Sequence, residues 1–426
     1  MRRPDRYSRS LKYRSRCGHK ETRMTIRTER QAGTAQGLVL SVASTMSVMG
    51  AVVMAPLLPS LHAEFAATPG VDFLVPMALT APSLCVALLA PVIGVAADRI
   101  GRRRAYLFAL LLYVLFGTAP LYLRTLPQIL ASRIGVGFAE AVIMVCSTTL
   151  LGDYFTGPER VKWLSAQSGI ASVSGIVFIM LGGVLGRENW RIPFAMYSLS
   201  LVLFALTLLL TWEPAARERE AAHSQRFPWG SLLGNGVLTV IGSLLFYLIP
   251  VQMGAVLAGH GVTSPATIGV LISIASILIP IGAFLFRRAA LRVRLDAIVC
   301  LPFLLMGAGL IALGRTSDPT MDVIAASVHQ LGGGFVLPVL LTMALQRLPF
   351  ALRGRGTGIW MCAFFLGQFI SAPIAIGAMK AAGSIGVSLG WLGGLSLVVC
   401  AVLVLAAVPR ARREGWGVLP NTTTGQ

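Results

Sequence analysis

A chain of 426 residues that is 55% hydrophobic and only 12% charged lies far from soluble domains, in which about a quarter of residues carry charge. Its net charge of +19 does not call for nucleic acid, because basic residues also gather in the cytoplasmic loops of membrane proteins. An integral protein with the lipid bilayer as solvent is expected, and a soluble enzyme or nucleic-acid binder is not.

In chain order, residues 1–35 form a basic tail. Its first 23 residues, MRRPDRYSRSLKYRSRCGHKETR, have no apolar core and so do not make a cleavable signal peptide. Either the tail is real or translation begins at Met24. Apolar runs of about 20 residues then recur to the end, each long enough to cross roughly 30 Å of hydrocarbon as a helix, whereas barrel strands would alternate over ten residues. Twelve spans are predicted, at 36–61, 72–97, 105–123, 128–151, 163–186, 193–212, 230–258, 267–286, 296–314, 321–346, 357–380 and 386–408. With both termini on one side, 30 of the 36 Lys and Arg fall on that side and five on the other, with Arg133 inside the membrane. The basic side is therefore expected to be cytoplasmic. Of the six cysteines, Cys85, Cys146, Cys300, Cys362 and Cys400 lie in or beside apolar spans without metal-like or disulfide-like spacing, so packing is their expected role.

The loop after span 2 reads GVAADRIGRRR, residues 94–104. Gly94 and Gly101 allow a helix end and a tight turn to approach a neighbour, and Asp98 offers a carboxylate to a helix N-terminus. Span 4 contains LASRIGVGFAEA, in which Arg133, Gly137 and Glu140 are spaced by four and three and share a helix face. The two charges are about 10 Å apart along the axis. Intramembrane charges are costly and by default functional, and Glu140 is the one acid placed at mid-membrane depth. Trp190-Arg191, at the end of span 5, reads as an interfacial anchor.

The charged stretch from TWEPAARERE to PWG marks a linker at 213–229. It divides a bundle at 36–212 from one at 230–408, with a C-tail at 409–426. The halves repeat. A worn copy of the loop motif follows span 8 at Gly282, Phe286, Arg287, Arg288 and Ala289, offset by 188 residues, and Gly135-Val136-Gly137-Phe138 aligns with Gly332-Gly333-Gly334-Phe335 at an offset of 197. Two repeated six-helix bundles mark a rocking-bundle transporter.

On these motifs the chain resembles the major facilitator superfamily over nearly all of 36–408. Gly94-x-x-x-Asp98-Arg99-x-Gly101-Arg102 is similar to that family's loop 2–3 signature, LASRIGVGFAEA to its span 4 pattern, and GQFISAP (367–373) to span 11 of many prokaryotic efflux permeases. The resemblance implies an all-α fold of twelve transmembrane helices in two six-helix bundles. It also implies a conformational latch of Gly94, Asp98, Arg99, Gly101 and Arg102 against span 11, with Arg102 paired to Asp153. The span 5 antiporter signature Gly-x-x-x-Gly-Pro-x-x-Gly-Gly is present only as Gly182-Gly183, with Phe178-Ile179 where Gly-Pro belongs, and span 1 carries no acid.

By the repeat, His329 and Gln330 lie opposite Ser132 and Arg133 and are cavity candidates, with Gln252, Gln368 and Tyr247. Phe246, Phe364, Phe365 and Trp360 either wall a cavity or pack the core. A nucleotide-binding loop, a zinc constellation and a hydrolytic triad are all missing from the sequence, so no cofactor, metal or catalytic residue is expected. The expected activity is proton-coupled export of small amphipathic organic compounds, with Glu140 and Arg133 as the coupling pair and a monomer as the working unit in a bacterial inner membrane. The alternative is uptake by a proton symporter, because RIGVGFAEA also resembles the Arg-x-x-x-Gly-x-x-Glu-Ala stretch of organic-anion:cation symporters.

Overall fold

The structure, a computed structural model, describes residues 32–214, 229–346, 348 and 352–414. Most of the proposed N-tail with its alternative start at Met24, nearly all of the 213–229 linker and most of the C-tail therefore lie outside the described residues. Among the described residues all regular structure is helical.

Twelve helical spans are long and apolar enough to cross a membrane. They are Thr34–Glu64, Val71–Ile100, Arg102–Leu121, Leu126–Tyr154, Gly157–Leu185, Ile192–Leu210, Leu233–Gly259, Pro265–Ala289, Leu295–Leu313, Pro319–Gln346, Arg355–Ala382 and Ile385–Ala407, numbered here as spans 1 to 12. The helices run past the predicted limits at several ends, because hydropathy registers the hydrocarbon core whereas a helix continues into the polar interface until a turn stops it. Span 2, for example, continues to Ile100 and stops at Gly101, whose φ of +103° no side-chain-bearing residue adopts easily.

Span 1 is one predicted segment but not one helix. Its α-helix ends at Val52, a short 3₁₀ turn follows at Ala55–Leu57, and a second helix runs from Leu58 to Glu64. Pro56 and Pro59 account for the break, since neither has an N–H to offer the preceding turn.

The spans form two six-helix bundles. In the first, span 4 packs on spans 1, 2 and 3, and span 5 on span 1. In the second, span 10 packs on spans 7, 8 and 9, span 9 on span 12, and span 7 on span 11. The bundles meet along spans 2 and 11 and spans 5 and 8. Small residues make these approaches possible, as is usual where lipid leaves no hydrophobic drive between helices. A methyl group on Gly137 would fall 2.6 Å from Pro82 Cα, and one on Gly334 would fall 2.2 Å from Ile279 O. Both residues of the first contact map onto the second by the same shift of 197.

The bundles are closely joined in the half away from the basic loops. There a methyl on Gly183 of span 5 would lie 2.4 Å from Pro265 O and 2.8 Å from Gly269 Cα of span 8. Gly254 of span 7 is seated against Pro59 and Ala55 of span 1. Hydrogen bonds that cross in this half include Ser83 Oγ to Gln368 Oε1 at 3.1 Å, Ser273 Oγ to Ile176 O at 3.1 Å, and Tyr247 OH to Ala51 O. The glycine pair kept from the span 5 signature serves two neighbours, Gly182 admitting Val53 of span 1 and Gly183 admitting span 8.

Trp190 is not the lipid-facing anchor expected from its place at a span end. It is 7% exposed, edge-on to Phe65 and Phe194, and covered by the Arg191 guanidinium 4.2 Å above its ring. Arg191 also lies 3.6 Å from Glu64. An indole buried at the junction of spans 1, 5 and 6 leaves the same sequence signal as one in the headgroups.

Candidate functional site

Span 4 carries Arg133 and Glu140 into the interior of the first bundle, where they are 0% and 1% exposed. Both meet span 1 just before its break. Arg133 Nη2 donates to Gly50 O at 2.8 Å, and its guanidinium lies 5.2 Å from the ring centre of Tyr197 in span 6. The Glu140 carboxylate lies so close to the Gly50 backbone that a methyl group there would be 2.6 Å from Oε2. Tyr113 of span 3 closes the cluster, its hydroxyl donating to Met46 O.

The break explains why Gly50 accepts from a side chain. Gly50 and Ala51 belong to the last turn before Val52, and carbonyls of a last turn have no N–H ahead of them within the helix. Arg133 takes the Gly50 carbonyl. Arg133 and Glu140 are not joined by a hydrogen bond, and Arg133 Nε and Nη1, Glu140 Oε2 and the Tyr197 hydroxyl have no hydrogen-bond partner among the described residues. A buried polar group left unpaired costs about 1–3 kcal/mol, and a charged one more. The cluster thus joins an acid, a cation and two phenols without a fully satisfied network, which a purely structural ion pair would be expected to have.

The shared face of Arg133, Gly137 and Glu140 is divided between two neighbours. Gly137 lets span 2 approach at Pro82, and the charges turn to span 1.

The second-bundle candidates are spread out. His329, fully buried, has Nε2 3.0 Å from Leu245 O of span 7, and its Cβ packs on Gly309 of span 9. Gln330 Nε2 donates to Ser276 Oγ of span 8 at 3.3 Å. Both thus bond within their own bundle, while His329 Nδ1 and Gln330 Oε1 have no hydrogen-bond partner among the described residues. Gln368 and Tyr247 instead reach across to the first bundle, at Ser83 and Ala51. Gln252 is buried further along span 7. Trp360 and Phe364 stack at 5.4 Å, with Phe365 edge-on to Phe364, and Phe246 packs against Gly333.

At the basic face Arg102 bridges two acids of its own bundle. Its Nε and Nη2 donate to Asp98 Oδ1 at 2.9 and 2.7 Å, and its Nη1 to Asp153 Oδ1 at 2.6 Å. Gly101 has Glu213 against it, and Arg103 donates to Leu208 O and Thr211 Oγ1 at the end of span 6. A methyl on Gly94 would meet nothing within 4 Å.

Sequence reasoning missed Gly50, Tyr113 and Tyr197. The available signal was a glycine six residues ahead of a Pro-x-x-Pro break in an apolar span, which frees carbonyls for a partner. It also missed a carboxylate buried in the first turn of span 10. Asp322 is 0% exposed, accepts from Thr316 Oγ1, and lies 2.6 Å from His260 Nδ1. No group of three or more His, Cys, Asp or Glu able to hold a metal occurs among the described residues.

The sequence pattern that defines the Major Facilitator Superfamily matches residues 40–262. The chain belongs to this superfamily. The superfamily and the matched relatives are transporters rather than enzymes. Within it the chain is 26% identical over 235 residues to the class H tetracycline resistance protein of Pasteurella multocida, a match that spans 55% of this chain and 57% of that one. It is 25% identical over 402 residues to the class C tetracycline resistance protein of Escherichia coli, covering 89% of this chain and 96% of the other. Among solved structures, a D-xylose-proton symporter superposes with a TM-score of 0.70 over 87% of this chain and 96% of its own, at 15% identity. At that identity the likeness concerns the fold alone.

Proposed function

We propose that the protein is a proton-coupled exporter of small amphipathic organic compounds that works by alternating access, with Glu140 as the proton-binding group and Arg133 as its charged neighbour. The observation that carries this reading is the placement of a buried, incompletely paired acid and cation at the break of span 1. A carboxylate whose burial and charged neighbours change between two conformations binds a proton in one and releases it in the other. The likeness to tetracycline resistance proteins supports the direction and the class of cargo. The basic face is then cytoplasmic, and the bundles meet on the outer side. His329, Gln330, Gln252, Gln368 and Tyr247 are the candidates for lining the substrate cavity from the second bundle.

Uptake by a symporter is the second reading, favoured by the symporter-like RIGVGFAEA stretch. An imposed pH gradient in proteoliposomes separates the two, using a panel of dyes, antibiotics, sugars and organic acids. Export predicts that a compound moves against the proton flow, and uptake that it moves with it. Labelled compounds that exchange at the rate of empty vesicles under every gradient would remove both.

In this reading Gly94, Asp98, Arg99, Gly101, Arg102 and Asp153 form the conformational latch of the cytoplasmic face. The Asp98→Asn variant is expected to insert and bind substrate normally but to change state several-fold more slowly, because charge is removed from a helix-end contact made in one state only. Cysteine crosslinking between the cytoplasmic ends of spans 2 and 11 reads the state. Wild-type crosslinking together with a wild-type transport rate would assign the loop to topology alone.

A further inference from the structure

From the way the break in span 1 is capped, we infer that Tyr247 is a positioning residue of the coupling site, a clasp that holds the outer face shut and sets where Arg133 sits relative to Glu140. The break frees two adjacent carbonyls. Gly50 O accepts from Arg133 of the first bundle, and Ala51 O accepts from Tyr247 of the second. One turn of span 1 is therefore held from both bundles at once. The 197-residue shift that superposes the Gly137–Pro82 and Gly334–Ile279 contacts carries Gly50 onto Tyr247, so the clasp joins equivalent places of the two repeats. Tyr247 is 2% exposed, and its turn leads into Pro250, where span 7 also lacks a backbone donor. Opening the outer face must part spans 1 and 7, and hence this bond.

Parting it leaves Ala51 O in the condition of any uncapped helix end, which binds water or regains a backbone N–H by winding the helix past Val52. Either change shifts Gly50, whose carbonyl holds Arg133 and whose Cα abuts Glu140. Tyr247 thereby acts on Glu140 without touching it. Tyr113 is the internal comparison. It makes the same kind of bond to the same helix, at Met46 O, but from within the first bundle, so it loses nothing when the bundles part.

The inference rests on the coupling reading for its second readout only. The first readout is the rate at which a membrane-impermeant maleimide labels a single cysteine at Ala55, which is fully buried beside Gly254, in purified full-length protein in nanodiscs. Tyr247→Phe is expected to raise that rate at least about fivefold, while Tyr113→Phe leaves it unchanged. The second is the pH at which gradient-driven transport is half-maximal, which Tyr247→Phe is expected to shift.

Unchanged labelling in Tyr247→Phe overturns the clasp. Equal increases in both variants also overturn it, because any lost hydrogen bond would then loosen the protein. Faster labelling with an unmoved pH midpoint overturns the link to Glu140. If Tyr247→Phe does not fold, Tyr247→Met is the second variant; it keeps apolar bulk but has no hydroxyl to donate to Ala51 O, and wild-type labelling there overturns the clasp equally. Failure of the coupling reading itself is seen elsewhere, as gradient-driven accumulation that survives Glu140→Gln, and leaves the labelling result standing.

Discussion

Glu140→Gln is expected to reduce pH-driven accumulation to the background of empty vesicles while substrate binding and downhill exchange persist. Glutamine keeps the volume and one acceptor oxygen of the side chain but cannot change charge. It therefore fits the space beside Gly50 without the clash that a larger group would cause. If Glu140 is the coupling group, the variant fixes the transporter in the electrical condition of its protonated form, so exchange of substrate for substrate continues and the proton gradient no longer drives it. The measurement is paired transport in proteoliposomes with and without an imposed gradient, beside counterflow with none. Undiminished accumulation in the variant would falsify the assignment, and attention would move to His329 and to the buried Asp322 with its His260 partner.

Gly50→Ala should be nearly as damaging, for a steric reason. Its methyl group would sit 2.6 Å from Glu140 Oε2 and 3.3 Å from the Tyr113 hydroxyl, and a well-packed interior gives way to such an addition at a cost of about 1–3 kcal/mol. The carboxylate must move, and coupling should fall with it. A double-mutant cycle isolates the cause, since removing the obstructing side chain with Glu140→Ala should return most of the thermal stability lost in Gly50→Ala without returning transport. Stability losses that simply add in the double variant would mean that the glycine is needed for helix approach alone.

Much of the architecture was legible in the sequence because it follows from composition. Twelve apolar runs and a lopsided distribution of Arg and Lys are properties of segments, and no tertiary contact is required to read them. The loop of Gly94 to Arg104 was legible as a motif, and the shared face of Arg133 and Glu140 as helical spacing. What faces those two residues was not. Gly50 lies 83 positions from Arg133, and nothing local marks it as the carbonyl that Arg133 will take. Tyr247 read as a cavity candidate and not as a partner of span 1, because the residue it bonds, Ala51, lies 196 residues away. Asp322 was among the acids placed away from mid-membrane depth, but its pairing with His260 depends on how span 7 meets span 10. Trp190 shows the converse, a motif with a common surface meaning that packing turned inward.

The glycine crossing of spans 5 and 8 has a mechanical corollary. Gly183 is 26 residues from Gly157 at the opposite end of the same helix, a lever of about 39 Å at 1.5 Å per residue. With the fulcrum this near one membrane surface, a tilt of about ten degrees sweeps the remote tip through roughly 7 Å, the width of a drug-sized ring system. Backbones touching without side chains between them make a thin bearing, so a bulky residue at Gly183 or Gly269 would act as a shim, altering the arc of the whole arm from a place far from any cargo.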